Sequence, residues 1–190
     1  MAATTIKRVG FGQVEPNHLS AQRTAQIYAQ LPAADDIEIL ENGQYVKYDY
    51  ANGVVNFTGE GEWMMVFNEV KLYDDRWRES YKDFAMIKSN YTPGDNTITH
   101  DGLGPFPGQM TPRVIKTNVG DIYTTNAVGA GNTSGKAEYA GISLDVGDVL
   151  SPNAADGFLS TGGDGSIQFQ VVKVYTMPDG QPAVKLMRIK

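Results

Sequence analysis

Gln44–Gly59 reads QYVKYDYANGVVNFTG, and this stretch decides the fold class. From Tyr45 to Tyr50, tyrosine or valine alternates with polar residues, which sends successive side chains to opposite faces of an extended chain. Val54 to Thr58 resumes the run after Asn52-Gly53. An Asn-Gly pair is the preferred turn of a tight hairpin, because both central positions take positive φ. The stretch predicts a hairpin with one face of YVKYDY turned to solvent.

Working outward, EWMMVFNEVKLYD predicts a longer strand from Trp63 to Tyr73. In DDRWRESYKDF, Trp77, Tyr81 and Phe84 fall at helical spacing, which predicts a short helix. Upstream, SAQRTAQIYAQLP places Ala21, Ala25 and Tyr28 on one helical face, with Leu31 continuing it. Asn17 or Ser20 would cap this helix, and Pro32 would stop it. Met1–Pro16 is mixed, with Gly10 and Gly12 flanking Phe11 and a basic pair at Lys7 and Arg8. It reads as an extended arm or a frayed terminus, whose removal would leave the fold intact.

Thr92–Pro112, TPGDNTITHDGLGPFPGQMTP, carries four of the nine prolines and little periodicity. It reads as a linker or an exposed loop. Beyond it, strands are expected at Arg113–Thr117, Asp121–Thr125, Tyr139–Leu144, Ile167–Tyr175 and Ala183–Ile189. The last two face each other across the turn Met177-Pro178-Asp179-Gly180. Val119-Gly120-Asp121 and Val146-Gly147-Asp148 read as two similar turns entering a small barrel or sandwich. The expected fold is mainly β with minor α. An arm (1–16), a helix and hairpin part (17–91) and a Pro/Gly segment (92–112) lead to a C-terminal β-barrel or β-sandwich (113–190).

With 190 residues the chain is long enough to bury a full core. A net charge of -6 argues against sequence-independent nucleic-acid binding, which needs a basic face. The absence of cysteine removes thiol catalysis and thiolate metal sites. The N-terminus lacks the continuous apolar core of a secretory signal, and no stretch has the apolar length of a membrane span. Secretion and a membrane partner are therefore not expected.

Four candidate chemistries remain. Gly129–Lys136 in AVGAGNTSGKAEY resembles a phosphate loop, but Ala130 stands where its first glycine belongs and Ala137 where its hydroxyl belongs. It reads as a hairpin loop. His18 and His100 form no ligand pattern. Glu60, Glu62, Glu69, Asp74, Asp75, Glu79 and Asp83 interleave with Lys71, Arg76, Arg78 and Lys82, as on a solvated face with local ion pairs. Asp156-Gly157 and Asp164-Gly165 lack the ligand spacing of a calcium loop and read as hairpin tips. No catalytic, cofactor or metal residue emerges. What is left is surface, and irregular segments on a β scaffold are where binding surfaces are built. Lys7, Arg8 and Phe11 in the arm, with Phe106, Pro107 and Met110 in the Pro/Gly segment, are the candidate partner-binding residues. A glycan-binding module is the competing reading, with Trp63, Trp77 and the tyrosines as stacking platforms.

The runs LENGQYVKYDYANGVVNFTGEGEWMMVFNEVKLYD and GDVLSPNAADGFLSTGGDGSIQFQVVKVYTMPDGQPAVKLMRIK resemble virion structural proteins of tailed bacteriophages, most of all capsid decoration or cement proteins. The likeness is one of texture over most of the chain and carries no functional residue with it. It implies a non-enzymatic protein, without cofactor, made in the host cytoplasm and bound to the capsid exterior. Its partner would be the major capsid protein lattice, and it would itself be a homo-oligomer, trimer or dimer. A tail, connector or fibre component would share the same texture.

Overall fold

The computed structural model describes residues 3–8, 11–21, 26–68, 85–87, 110–129 and 141–190. Its strands are β1 (Thr4–Ile6), β2 (Val14–His18), β3 (Ile27–Tyr28), β4 (Ile39–Glu41), β5 (Tyr45–Asp49), β6 (Val54–Asn56), β7 (Trp63–Val66) and β8 (Ala85–Ile87). They continue as β9 (Val114–Ile115), β10 (Ile122–Thr125), β11 (Ile142–Leu144), β12 (Val149–Pro152), β13 (Leu159–Ser160), β14 (Phe169–Thr176) and β15 (Pro182–Arg188). A six-stranded sheet, ordered β13-β12-β14-β15-β10-β2, curls into a half-barrel. A five-stranded sheet is ordered β3-β9-β7-β5-β6, and β1-β11 and β4-β8 form two small sheets. The fold is mainly β, as the sequence texture predicts.

The opening stretch forms its hairpin, with Asp49 paired to Val54. The connection is four residues, Tyr50 to Gly53, and not the two-residue Asn-Gly turn. Asp49 explains the longer loop: its Oδ1 accepts the Asn52 N–H at 3.1 Å and its Oδ2 accepts Asn52 Nδ2 at 2.8 Å. The expected solvent face of YVKYDY is also corrected. Tyr45 belongs to one apolar cluster, while Val46 and Tyr48 belong to another.

Those two clusters define the layers. On the five-stranded sheet Tyr45, Trp63, Met65 and Ile115 point to one side. There they meet Tyr123, Leu150, Phe169, Val171, Val184 and Leu186 from the inner face of the half-barrel. Val46, Met64, Val66 and Val114 point to the other side and pack on Ile37, Leu40, Met86 and Met110. A sheet covered on both faces explains why Trp63–Val66 is a continuous apolar run and not an alternating one.

Three expectations change. In SAQRTAQIYAQLP, Ile27 and Tyr28 pair with Ile115 and Val114 as strand β3. A β-branched residue and a tyrosine complete the sheet better there than they continue a helix. Before them the Gln26 N–H donates to the Ala21 carbonyl at 3.1 Å; residues 22–25 lie outside the described set. The arm is not a free extension. Thr4–Ile6 pairs with β11 and Val14–His18 with β10, and Ile6 is buried in the first cluster. Pro16, which has no N–H, sits on an edge strand where none is needed. Finally, the parts on either side of 92–112 interleave: β2 completes the six-stranded sheet and β9 the five-stranded one. The helix expected around Trp77–Phe84 lies outside the described residues.

The two Val-Gly-Asp turns do enter the half-barrel, and they are the same turn made twice. Asp121 N–H donates to the Asn118 carbonyl, and Asp121 Oδ2 accepts the Asn118 N–H at 2.8 Å. Asp148 N–H donates to the Asp145 carbonyl, and Asp148 Oδ2 accepts the Asp145 N–H at 2.8 Å. Gly120 and Gly147 have φ of +91° and +103°, which excludes any residue with a side chain at low cost. Each glycine N–H and each aspartate carbonyl then bracket one residue of a central strand, Arg188 on β15 or Val171 on β14.

Candidate functional surface

Of the candidate partner-binding residues, Lys7 is exposed and Phe11 half-buried. Arg8 points inward. It is 2% exposed, with its guanidinium 4.6 Å above the Phe158 ring, Nη1 donating to the Val128 carbonyl at 3.4 Å and Nη2 3.6 Å from Glu41 Oε2. The same Glu41 oxygen accepts the Gly12 N–H at 2.7 Å. Arg8 therefore fastens the first strands to the body. Met110 is buried in the second cluster, and Phe106 and Pro107 lie outside the described residues. The structure does not bring the described members of this set together on one surface.

The other sequence motifs resolve into packing and turns. Glu62 holds Lys116 at 2.7 Å and Arg188 at 3.4 Å, partners distant in sequence and not the neighbouring cations expected; Glu69–Asp83 and the interleaved Lys71, Arg76, Arg78 and Lys82 lie outside the described residues. Asp156 Oδ1 accepts the Phe158 N–H, and Asp164 Oδ1 accepts both N–H and Oγ of Ser166. Asp164 Oδ2 takes the Trp63 indole N–H at 2.7 Å. Burial opposes ionisation of Asp164, but the Trp63 and Ser166 hydrogen bonds outweigh it and hold its carboxyl below the usual range. Both aspartates thus serve as turn anchors. Among the described residues no three His, Asp or Glu side chains gather as metal ligands. His18 is exposed on edge strand β2, while His100 and the loop 130–140 lie outside the described set.

The deepest polar pair joins the two large sheets. Tyr45 on β5 and Tyr123 on β10 share a hydrogen bond of 2.8 Å between hydroxyls, both fully buried. Phe169 packs on both rings, with centroids at 5.3 and 5.8 Å. Burial pushes both hydroxyls well above the ordinary tyrosine pKa. Trp63 is equally enclosed, with Lys47 Nζ 4.7 Å over its ring, so it offers no platform to a sugar. Tyr50 does reach solvent at 73% exposure, standing edge-on to Tyr48 with ring centroids 5.6 Å apart.

Register and alternation define a second surface, the outer face of the half-barrel. Tyr123, Phe169, Val171, Val184 and Leu186 point into the core. Their neighbours along each strand point outward. One outward row runs Val149, Gln170, Met187, Ile122, His18 across β12, β14, β15, β10 and β2. The next runs Lys173, Lys185, Thr124, Glu15 across β14, β15, β10 and β2, with Thr124 fully buried and its hydroxyl donating to Asn17 Oδ1 at 2.9 Å. Sequence reading missed this face. The alternation in FQVVKVYT and PAVKLMR carries the signal, but which strands lie side by side is a matter of register that no local pattern contains.

No family model matches this chain, and no curated protein or solved structure does either.

Proposed function

We propose that this chain is a non-enzymatic virion structural protein that binds the outside of an assembled phage capsid lattice and stabilises it. The observation that carries this reading is how the scaffold divides its groups. Tyr45, Tyr123, Arg8 and Glu41 are engaged inside the molecule, while Val119 and Val146 stand in solvent on tight turns at 68% and 59% exposure. Such a scaffold suits adhesion to another protein surface. The resemblance of Leu40–Asp74 and Gly147–Lys190 to phage head proteins supports the same reading, and a net charge of -6 suits a protein that stays clear of packaged DNA. A protein that binds the assembled lattice but not free subunits strengthens the lattice by mass action, and many symmetric copies add avidity.

Co-sedimentation of the purified protein with expanded, undecorated heads of the encoding phage tests the proposal. Saturable binding at a copy number tied to a symmetry axis is expected. Binding to tails alone would move the protein to a tail, connector or fibre role, and binding to neither would refute the virion reading. One observation favours a second reading: the open Tyr50 ring, backed by Tyr48, is a stacking surface of the kind glycan-binding modules use. A glycan array on the protein and on Tyr50→Ala tests it.

A further inference from the structure

We infer that Asn52 is a site of spontaneous modification: its side chain cyclises onto the Gly53 nitrogen, becomes aspartate or isoaspartate, and releases the tip of the β5–β6 hairpin. This chemistry lies beyond the proposed function and does not rest on it. The chain holds two Asn-Gly pairs, Asn42-Gly43 and Asn52-Gly53, and the fold places them in opposite surroundings. Asn42 is buried, its Oδ1 accepts the Asn68 N–H at 2.7 Å, and the Gly43 N–H donates to the Val66 carbonyl at 2.9 Å. A Cβ on Gly43 would lie 2.7 Å from the Ala127 Cβ, so that pair has no room to rearrange. Asn52 is exposed, and a Cβ on Gly53 would meet nothing within 4 Å. The pair sits in the four-residue loop, outside the ladder that closes at Asp49–Val54. Because glycine carries no side chain, its nitrogen is open to attack the neighbouring side-chain carbonyl.

The reaction balances with water alone. The Gly53 nitrogen gives up its proton to hydroxide and attacks Cγ of Asn52. A C–N bond forms, the Cγ–Nδ2 bond breaks, and Nδ2 leaves as ammonia with a proton from water. Water then opens the succinimide ring. Cleavage of the new bond yields aspartate; cleavage of the old peptide bond yields isoaspartate, with one carbon added to the backbone. Either product removes the Nδ2 donor that Asp49 Oδ2 accepts at 2.8 Å and adds a carboxylate beside it. That hydrogen bond is the first cause holding the Asp49 carboxyl below its usual range, and repulsion between like charges takes its place. Asn56 Nδ2 donates to the same Asp49 oxygen at 3.1 Å, which ties the disturbance to β6. The hairpin therefore frays from its closing pair.

Incubation of the folded chain between pH 7 and 9, followed by digestion in acid and mass mapping, tests this. Residue 52 should gain about 1 Da and become a substrate for isoaspartyl methyltransferase, while Asn42 stays unchanged. The rate should rise about tenfold per pH unit, as the ionised fraction of a weakly acidic N–H does. Asp49→Ala, which removes the anchor of the Asn52 side chain, should react about fivefold faster. In urea Asn42 should react as fast as Asn52, because the fold and not the dipeptide makes the difference. Hydrogen exchange at Val54–Asn56 should quicken after conversion. A folded chain unchanged at Asn52, or altered equally at both asparagines, would overturn the inference. Unaltered exchange at Val54–Asn56 after conversion would overturn the release of the hairpin.

Discussion

The Tyr45–Tyr123 hydrogen bond joins the five-stranded sheet to the half-barrel, and its energetics can be worked from the contacts. Tyr45→Phe leaves the Tyr123 hydroxyl buried without its partner. An orphaned buried hydroxyl costs about 1–3 kcal/mol. Tyr123→Phe should cost less, about 1 kcal/mol, because the Tyr45 hydroxyl retains an interaction with the Thr117 side chain. The double variant removes both hydroxyls and keeps both rings against Phe169, so its loss should fall below about 1 kcal/mol. The expected coupling is thus about 1–3 kcal/mol, the double variant losing less than the sum of the single ones. Urea unfolding of the four proteins, followed by tryptophan fluorescence, measures it, since Trp63 is enclosed in the same cluster. Additive losses, or single variants within about 0.5 kcal/mol of wild type, would refute the account of this joint.

Alkaline pH acts on the same pair. Burial, the dominant cause, raises both hydroxyl pKa values above the unfolded value near 10, so the native state keeps protons that the unfolded state releases. The associated stability is complete below pH 10 and is lost as pH rises above it, at up to about 2.7 kcal/mol per pH unit for the two together. Thermal melts from pH 8 to 11.5 should show this, and the double phenylalanine variant should show a shallower decline. Arg8→Ala should cost about 3–5 kcal/mol, because it removes the buried cation that faces the Glu41 carboxylate and packs over Phe158. Removal of residues 1–18 should therefore abolish cooperative unfolding; a shortened chain with a wild-type melt would show the opening strands to be dispensable.

The parts of this fold legible in the sequence are those set by neighbours along the chain. The β5–β6 hairpin, the β14–β15 hairpin with its Gly180 turn at φ +84° and the two Val-Gly-Asp turns all close within a few residues. The parts that were not legible depend on distant partners. Nothing local tells Ile27-Tyr28 that Val114-Ile115 will offer an open edge, and alanine spacing suggests a helix until that edge is present. Arg8 and Lys7 are adjacent and basic, yet Glu41 and Phe158 draw one inward while the other stays in solvent. The solvent face expected for YVKYDY failed for the same reason: half-polar alternation predicts one covered face, and the second layer, Ile37, Leu40 and Met110, comes from both sides of it in sequence.

The twin turns also separate what the fold requires from what a partner would use. In each, the positive-φ glycine and the aspartate carboxylate are fixed by the turn itself, and both neighbouring backbone groups bracket a central strand. Val119 and Val146 occupy the one position of the four that the turn leaves free, which is why they project into solvent. Burial does not account for a valine there, since a polar residue of similar shape would fit the same backbone. Val119→Thr with Val146→Thr should therefore change stability by less than about 0.5 kcal/mol. If these side chains meet the capsid lattice, the same pair should weaken saturable binding to undecorated heads by about tenfold, through lost apolar contact at every copy. Unchanged head binding at unchanged stability would free both valines from the contact surface and leave the remaining outer surface to carry it.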